Sequence, residues 1–235
     1  MTVAQGEAAH TDARNRPGSV SVLPAMTQLQ IDVWADIVCP WCYVGEARLE
    51  KAAKALADEA TVTIRPHAFE LDPNHSHPEP VLEMLARKYG GSEDQVRTME
   101  QRVADLAKAE GLPYTSERIT INTFNAHRLI AAAAEQGIGL QVLNALQRGH
   151  FSGEVDLSDD DALVATASAA GLGEERAREV LASDEFADAV RADQAQARAY
   201  GVSGVPFTVV GGRYAIPGAA AAEQYEHVLR TALSE

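Results

Sequence analysis

Residues 29–60 have the sequence LQIDVWADIVCPWCYVGEARLEKAAKALADEA, and this stretch decides the fold. Residues 29–36 alternate apolar and polar side chains, a pattern that predicts a strand with one buried face. After the two cysteines, apolar residues recur at helical spacing as far as about Ala60, which predicts an amphipathic helix. Residues 61–70 again have the pattern of a strand. A strand, a helix and a strand in succession predict two parallel strands joined by a helical crossover.

Cys39 and Cys42 are the two cysteines of this 235-residue chain, and only Pro40 and Trp41 separate them. This spacing favours redox chemistry over a structural disulfide framework. At the beginning of a helix, unpaired backbone N–H groups and the positive end of the macrodipole stabilise a thiolate, and proline suits the first helical position. We therefore predict that Cys39 is the attacking sulfur. Cys42, one turn further along, is predicted to resolve the mixed disulfide.

Half of a zinc site is the alternative interpretation of this cysteine pair. A structural zinc ion takes four ligands, and the chain has no second cysteine pair. The nearest histidines in sequence are His67, His75 and His77, which follow in a strand and in a proline-rich loop. We therefore expect no metal, and we predict that His75 and His77 are solvated.

The middle of the chain, from residue 81 to about residue 200, has the pattern of a set of amphipathic helices. Two pairs of residues have capping-box spacing at the beginning of such helices, Ser92 with Gln95 and Ser158 with Asp161. We therefore predict a helical bundle in this region.

The end of the chain returns to strands. Residues 207–210 and 213–216 are short runs of β-branched and aromatic side chains, and Gly211-Gly212 between them predicts a hairpin. A last helix is predicted over residues 219–233. The order β-α-β, helices, β-β-α indicates a mixed sheet with helices inserted between its two halves.

Charge and hydropathy exclude some classes of partner. Acidic residues outnumber basic ones by 34 to 20, and the net charge of -14 repels phosphate backbones and anionic lipids. No apolar run approaches the roughly 18 residues of a membrane helix. We expect no nucleic-acid partner and no membrane partner. Residues 1–28 lack the basic start and long apolar run of a secretory signal, which predicts a disordered tail and a cytoplasmic protein.

Three motifs together resemble a known family. DIVCPWCYVGEARLE, NTFNAHRLI and GVSGVPFTVVGGRYAIPGA occur in this order between about Leu29 and Leu233, and they resemble the DsbA-type oxidoreductases of the FrnE-like branch. The resemblance implies the α/β class, with a thioredoxin-like fold that carries a large all-helical insertion.

The resemblance also implies the domain boundaries. Residues 1–28 would form the N-terminal tail. Residues 29–74 and 200–235 would together form the thioredoxin-like domain. Residues 75–199 would form the inserted helical domain.

Further site residues follow from the resemblance. It implies that the Val205-Pro206 bond is cis and faces the cysteines, so that the Val205 backbone pairs with an extended substrate. Trp41 and His127 are the other expected substrate contacts, with structural packing as the alternative for His127. Asp36 is expected close to the active helix, with a strand-end cap as the alternative.

The implied activity is thiol–disulfide exchange, as an oxidoreductase or isomerase. Its partners would be thiols or disulfides of proteins, or small thiols, and its redox-active disulfide would need no other cofactor. The alternatives are a glutathione-dependent isomerase or kappa-type transferase acting on a small molecule, with glutathione as the cofactor, and a redox-linked chaperone. Those glutathione enzymes typically carry serine at the first cysteine position, whereas this chain keeps both cysteines. A homodimer through the helical block is left open.

Overall fold

A computed structural model describes residue 2 and residues 26–235. The predicted tail lies outside the described residues except at residue 2 and at its last positions, where Thr27 and Gln28 already belong to the first strand. The elements, in chain order, are β1 (Thr27–Ala35), α1 (Pro40–Ala55), β2 (Ala60–Ala68), β3 (Glu79–Pro80), α2 (Val81–Tyr89), α3 (Glu93–Ala109), β4 (Ile119–Thr120), α4 (Phe124–Glu135), α5 (Gly139–Ser152), α6 (Asp160–Ala169), α7 (Glu174–Leu181), α8 (Ala187–Ala199), β5 (Phe207–Val210), β6 (Tyr214–Pro217) and α9 (Ala222–Leu233).

The main sheet has the strand order β2-β1-β5-β6. β1 pairs with β2 in parallel and with β5 antiparallel, and β5 pairs antiparallel with β6, so the predicted mixed sheet is confirmed. Gly211, Gly212 and Arg213 join β5 to β6, and the Val210 carbonyl accepts the Arg213 N–H at 3.1 Å. Gly211 and Gly212 have positive φ, +58° and +69°, which glycine adopts without steric cost.

α1 is shorter than predicted. It ends at Ala55, and Ala60 already pairs with Thr27 at the beginning of β2. Between them the Leu56 carbonyl accepts hydrogen bonds from the N–H groups of Glu59 and Ala60, which turn the chain back toward the sheet. The apolar periodicity continued to Ala60 because Leu56, Ala57 and Ala60 of this turn are also apolar.

Seven helices, α2 to α8, lie between β2 and β5, which confirms a thioredoxin-like fold with a helical insertion. The predicted capping box of Ser92 and Gln95 is present at the beginning of α3. The predicted Ser158 cap is wrong, because the Asp159 carboxylate accepts the Asp161 N–H at 2.9 Å and Ser158 instead bonds to Asp156. The predicted all-helical region also contains a small second sheet, in which β3 pairs antiparallel with β4.

One hydrophobic core joins the sheet to the inserted helices. It includes Ile31 and Val33 of β1, Leu49 of α1, and Leu129 and Leu143 of α4 and α5. α1 packs against α9, while α4, α5 and α8 contact β2. α1 also contacts α3 and α5, so this helix is held from several sides. Among the described residues, no helix has both the length and the apolar character needed to cross a membrane.

Candidate active site

Cys39 lies at the N-terminus of α1. Its backbone is extended, with φ -84° and ψ 111°, and Pro40 takes the first helical position as predicted. The Cys39 Sγ accepts the Cys42 N–H at 3.4 Å, so a backbone donor of the first turn points at this sulfur. Such a donor stabilises negative charge on the sulfur.

The loop before β5 brings a second backbone group to Cys39. Its thiol donates to the Val205 carbonyl oxygen, with 3.5 Å between Sγ and O. The Val205-Pro206 bond is cis, as the resemblance implied. A Cβ on Gly45 would lie 3.1 Å from the Pro206 Cγ, so the absence of a side chain at Gly45 lets this loop approach α1 closely.

Asp36 connects the end of β1 to the cysteine turn. Its carbonyl accepts the Cys39 N–H at 3.2 Å, and its carboxylate accepts the Leu71 N–H at 2.7 Å. The His127 Nε2 lies 3.3 Å from the other carboxylate oxygen, and both side chains are buried. His127 therefore contacts Asp36 beneath the cysteine turn, whereas Trp41 is 46% exposed beside it.

A cleft of about 520 Å³ opens beside the two cysteines. Cys39, Trp41 and Val205 line it, together with side chains of α2 and α3 on the opposite side. Its walls are mainly apolar and include Val38, Leu71, Met84, Leu85, Met99 and Ile121. A partly enclosed apolar cleft next to reactive groups has the form of a ligand or substrate site.

The two sulfurs have different surroundings. Cys39 lines the cleft, while Cys42 is fully buried and is not among the lining residues. Burial raises the pKa of the Cys42 thiol well above its usual value, and the neighbouring Cys39 and Glu46 raise it further. Cys42 is therefore held as a neutral thiol, while Cys39 is the one of the two cysteines that lines the cleft.

A comparison with known families identifies the fold. The model of a family described as the DSBA-like thioredoxin domain matches residues 30–230. This chain belongs to that family. The predicted DsbA-type family is thus confirmed, and the chain contains a DSBA-like domain over nearly all of the described residues.

Three solved structures are similar to this DSBA-like chain. A probable DsbA oxidoreductase from Streptomyces coelicolor is 42% identical, with 88% of this chain and 91% of that chain covered and a TM-score of 0.83. The cytosolic disulfide reductase DsbM from Pseudomonas aeruginosa, solved with GSH, is 19% identical over 88% of this chain and 100% of that chain, with a TM-score of 0.60. A 2-hydroxychromene-2-carboxylate isomerase is 17% identical over 87% of this chain and 94% of that chain, with a TM-score of 0.58. The last two share the fold.

The sequence analysis did not single out Glu46 in this DSBA-like site. Glu46 lies on α1 four residues after Cys42 and is only 2% exposed. Burial raises the pKa of its carboxyl group well above the usual value, and the charge of Cys39 adds to this effect. Among charged residues along an amphipathic helix, Glu46 was inconspicuous, and its spacing from Cys42 was the one signal that could have marked it.

One prediction near the cleft is wrong. His75 is buried rather than solvated, and its Nε2 lies 2.9 Å from a carboxylate oxygen of Glu79. The proline-rich loop folds against the beginning of α2, which carries His75 inward and leaves His77 exposed. His75 therefore becomes one of the residues that line the cleft.

Proposed function

We propose that this chain is a thiol–disulfide oxidoreductase or isomerase that acts through Cys39 and Cys42. The observation that carries the proposal is the placement of the Cys39 sulfur. It lies at the N-terminus of α1, beside the Val205 carbonyl and at the wall of an apolar cleft. A helix N-terminus favours the thiolate, which is the reactive form of cysteine.

The proposed reaction has two exchange steps. The Cys39 thiolate attacks one sulfur of a substrate disulfide, forms a mixed disulfide and releases the other sulfur as a thiolate. The Cys42 sulfur then loses its proton and attacks Cys39, which releases the second substrate thiol and leaves a Cys39–Cys42 disulfide. The substrate gains two electrons and two protons, and the reverse sequence oxidises a dithiol.

The cleft and the Val205 backbone suggest the kind of substrate. An extended peptide is expected to hydrogen-bond to the backbone beside Cys39 while an apolar group enters the cleft. Trp41 would cover part of that group, because its ring is exposed at the same wall. We propose thiols or disulfides of proteins, or small thiols, as partners. A cytosolic disulfide reductase has the same fold, which supports the cytoplasm as the compartment.

A glutathione-dependent isomerase is the second candidate, because a 2-hydroxychromene-2-carboxylate isomerase and a reductase solved with GSH share this fold. That reaction needs no resolving thiol. It therefore predicts that turnover survives Cys42→Ser, whereas disulfide exchange predicts that turnover is lost.

The test uses two single variants of the full chain. Reduced Cys42→Ser is incubated with glutathione disulfide and with a disulfide-containing peptide, and the products are analysed by mass spectrometry. We expect a stable one-to-one mixed disulfide on Cys39. Cys39→Ser is the matched control and is expected to form none under the same conditions. Absence of an adduct in Cys42→Ser with either disulfide would contradict the proposal.

Protection of a client protein that persists without both cysteines would instead favour a chaperone.

A further inference from the structure

Two basic side chains line the cleft on the side formed by α2 and α3. They are Lys88 and Arg102, and both are exposed to solvent. Neither forms an ion pair with a described residue, whereas the neighbouring Arg87 and Arg97 each bind a glutamate. Two cations of this cleft are therefore available to an anion that enters it.

The acidic residues that line the same cleft already have partners. Asp36 contacts His127, and Glu100 forms a buried pair with Arg118. Asp72 accepts a backbone N–H two residues further along its loop, at 3.2 Å. The net charge of -14 repels anions from most of the surface, but screening limits each charge to about 10 Å in ordinary salt. The two cations therefore dominate for an anion that lies next to them.

The rest of the cleft favours an apolar ligand of small size. Trp41, Leu71, Tyr89 and Met99 all line it, and they are four of the seven large apolar side chains that are exposed among the described residues. Such a concentration of exposed apolar surface marks a binding site. The volume of about 520 Å³ lies within the range of small-molecule pockets, about 300–1,000 Å³.

A second depression continues from the cleft over the surface of α3. Its volume is about 390 Å³, and Tyr89, Met99 and Arg102 line both spaces. Arg102 therefore lies at the junction of an apolar cleft and a more open surface. A charged group that binds there stays in contact with water, which avoids the cost of burying a charge.

The geometry points to a low-molecular-weight thiol, or its disulfide, with an apolar body and a carboxylate remote from the sulfur as the substrate of this cleft. The apolar body lies against the cleft walls, and the carboxylate binds Lys88 and Arg102. In the exchange step the Cys39 thiolate attacks one substrate sulfur, the substrate sulfur–sulfur bond breaks, and its electron pair leaves on the second substrate sulfur as a thiolate. This inference rests on the exchange reaction proposed above, and it selects small molecules among the partners named there.

A competition experiment measures the preference for the carboxylate. Reduced Cys42→Ser is mixed with equal excesses of two symmetrical disulfides, that of ω-mercaptooctanoic acid and that of its N-methylamide. The two adducts on Cys39 are quantified at early times by mass spectrometry. The sulfur atoms of both compounds have the same chemical neighbours, so their intrinsic reactivities are equal. We expect the acid adduct to exceed the amide adduct by about fivefold, as for two exposed ion pairs, and the excess to shrink as the salt concentration rises.

Two double variants in the same background locate the preference. Lys88→Gln with Arg102→Gln is expected to bring the ratio of acid to amide adduct to one or below, because the net charge of the chain then acts alone. Lys51→Gln with Lys54→Gln is the matched control, and it removes the same charge from exposed positions about 18–22 Å along α1 from Cys39. This control should keep the fivefold ratio. A ratio of one in Cys42→Ser itself, or equal ratios in the two double variants, would overturn the proposal.

A second competition tests the apolar body. The N-methylamide is replaced by a disulfide acid of the same length whose chain is an ethylene glycol ether. We expect the octanoate adduct to exceed the ether adduct by about tenfold, because burial of methylene groups in the cleft favours binding. Equal amounts of the two adducts would overturn the proposal. Absence of an adduct with every disulfide would instead refute the exchange reaction itself.

Discussion

A half-buried histidine, His67, provides a quantitative test of how the inserted helices are attached to the sheet. The two ring nitrogens of His67 contact two different carboxylates, with Nδ1 2.8 Å from Asp193 Oδ1 and Nε2 3.0 Å from Asp32 Oδ1. Asp193 lies on α8, while Asp32 and His67 lie on β1 and β2. Only the imidazolium can donate from both nitrogens, so this arrangement favours the charged ring.

The size of the effect follows from the pKa. Burial lowers the pKa of His67, but the hydrogen bonds with Asp193 and Asp32 outweigh it and raise the value from 6.5 to about 9. At 1.36 kcal/mol per unit, this rise corresponds to about 3 kcal/mol of stability. Because the folded pKa lies above the unfolded value, this stability is fully present below about pH 6.5 and is lost as the pH rises through about 9.

His67→Gln is expected to remove this pH dependence. Urea unfolding of the reduced proteins is measured at about pH 6 and about pH 9.5, and the free energy of unfolding of the wild type should fall by about 3 kcal/mol more than that of the variant. The ring of His67 also stacks on Trp34, with 4.6 Å between centroids, but the loss of this contact is the same at both pH values. His227→Gln, at an exposed position on α9, is the matched control and should follow the wild type. If His67→Gln and the wild type lose the same free energy between the two pH values, the ion-pair argument is refuted.

Two predictions concern the packing of the inserted helices, and urea unfolding at about pH 7 measures both. Gly149→Ala would place a Cβ in a steric clash with the Val155 Cγ2, so we expect the free energy of unfolding to fall by about 1–3 kcal/mol. The additional change Val155→Ala should relieve this loss, and an equal loss in the double variant would be inconsistent with the clash. Arg118→Leu breaks the buried ion pair with Glu100, whose N–O distance is 2.7 Å. The Glu100 carboxylate then keeps only the hydrogen bond from the Tyr114 hydroxyl, so we expect the free energy of unfolding to fall by about 3–5 kcal/mol. Adding Glu100→Leu should return most of that loss, and a double variant no more stable than Arg118→Leu would show that the pair is not the cause.

The local parts of the fold could be predicted because their signals lie within a few residues. The period of two in β1, the proline after Cys39 and the Gly211-Gly212 turn each act through the backbone of their own segment. The end of α1 was missed for the opposite reason. The pairing of Ala60 with Thr27 decides that end, and this pairing joins residues that are far apart in sequence.

Short pairings between distant segments left no periodic signal at all. β3 and β4 contain two residues each, and Glu79 pairs with Thr120, far from it in sequence, within the region predicted to be all helical. A two-residue strand is too short for alternation to be visible. The buried state of His75 depends on the same contact, because Glu79, its partner, lies in β3. The wrong prediction for His75 and the missed strands therefore have one cause.

In the candidate site, too, local sequence decides some features and packing between distant segments decides others. The helix N-terminus and Pro40 act on Cys39 locally, so the sequence alone predicted that Cys39 would lie at the N-terminus of α1. The inner face of α1, which carries Cys42 and Glu46, depends instead on packing with distant helices. Gln147 of α5 and Tyr225 of α9 lie against this face, and burial raises the pKa of the Glu46 carboxyl group. An ordinary amphipathic helix would place Glu46 in water, where it would carry a charge and have no chemical relation to Cys42. The packing of distant helices therefore decides the charge state of Glu46, which the sequence of α1 alone does not reveal.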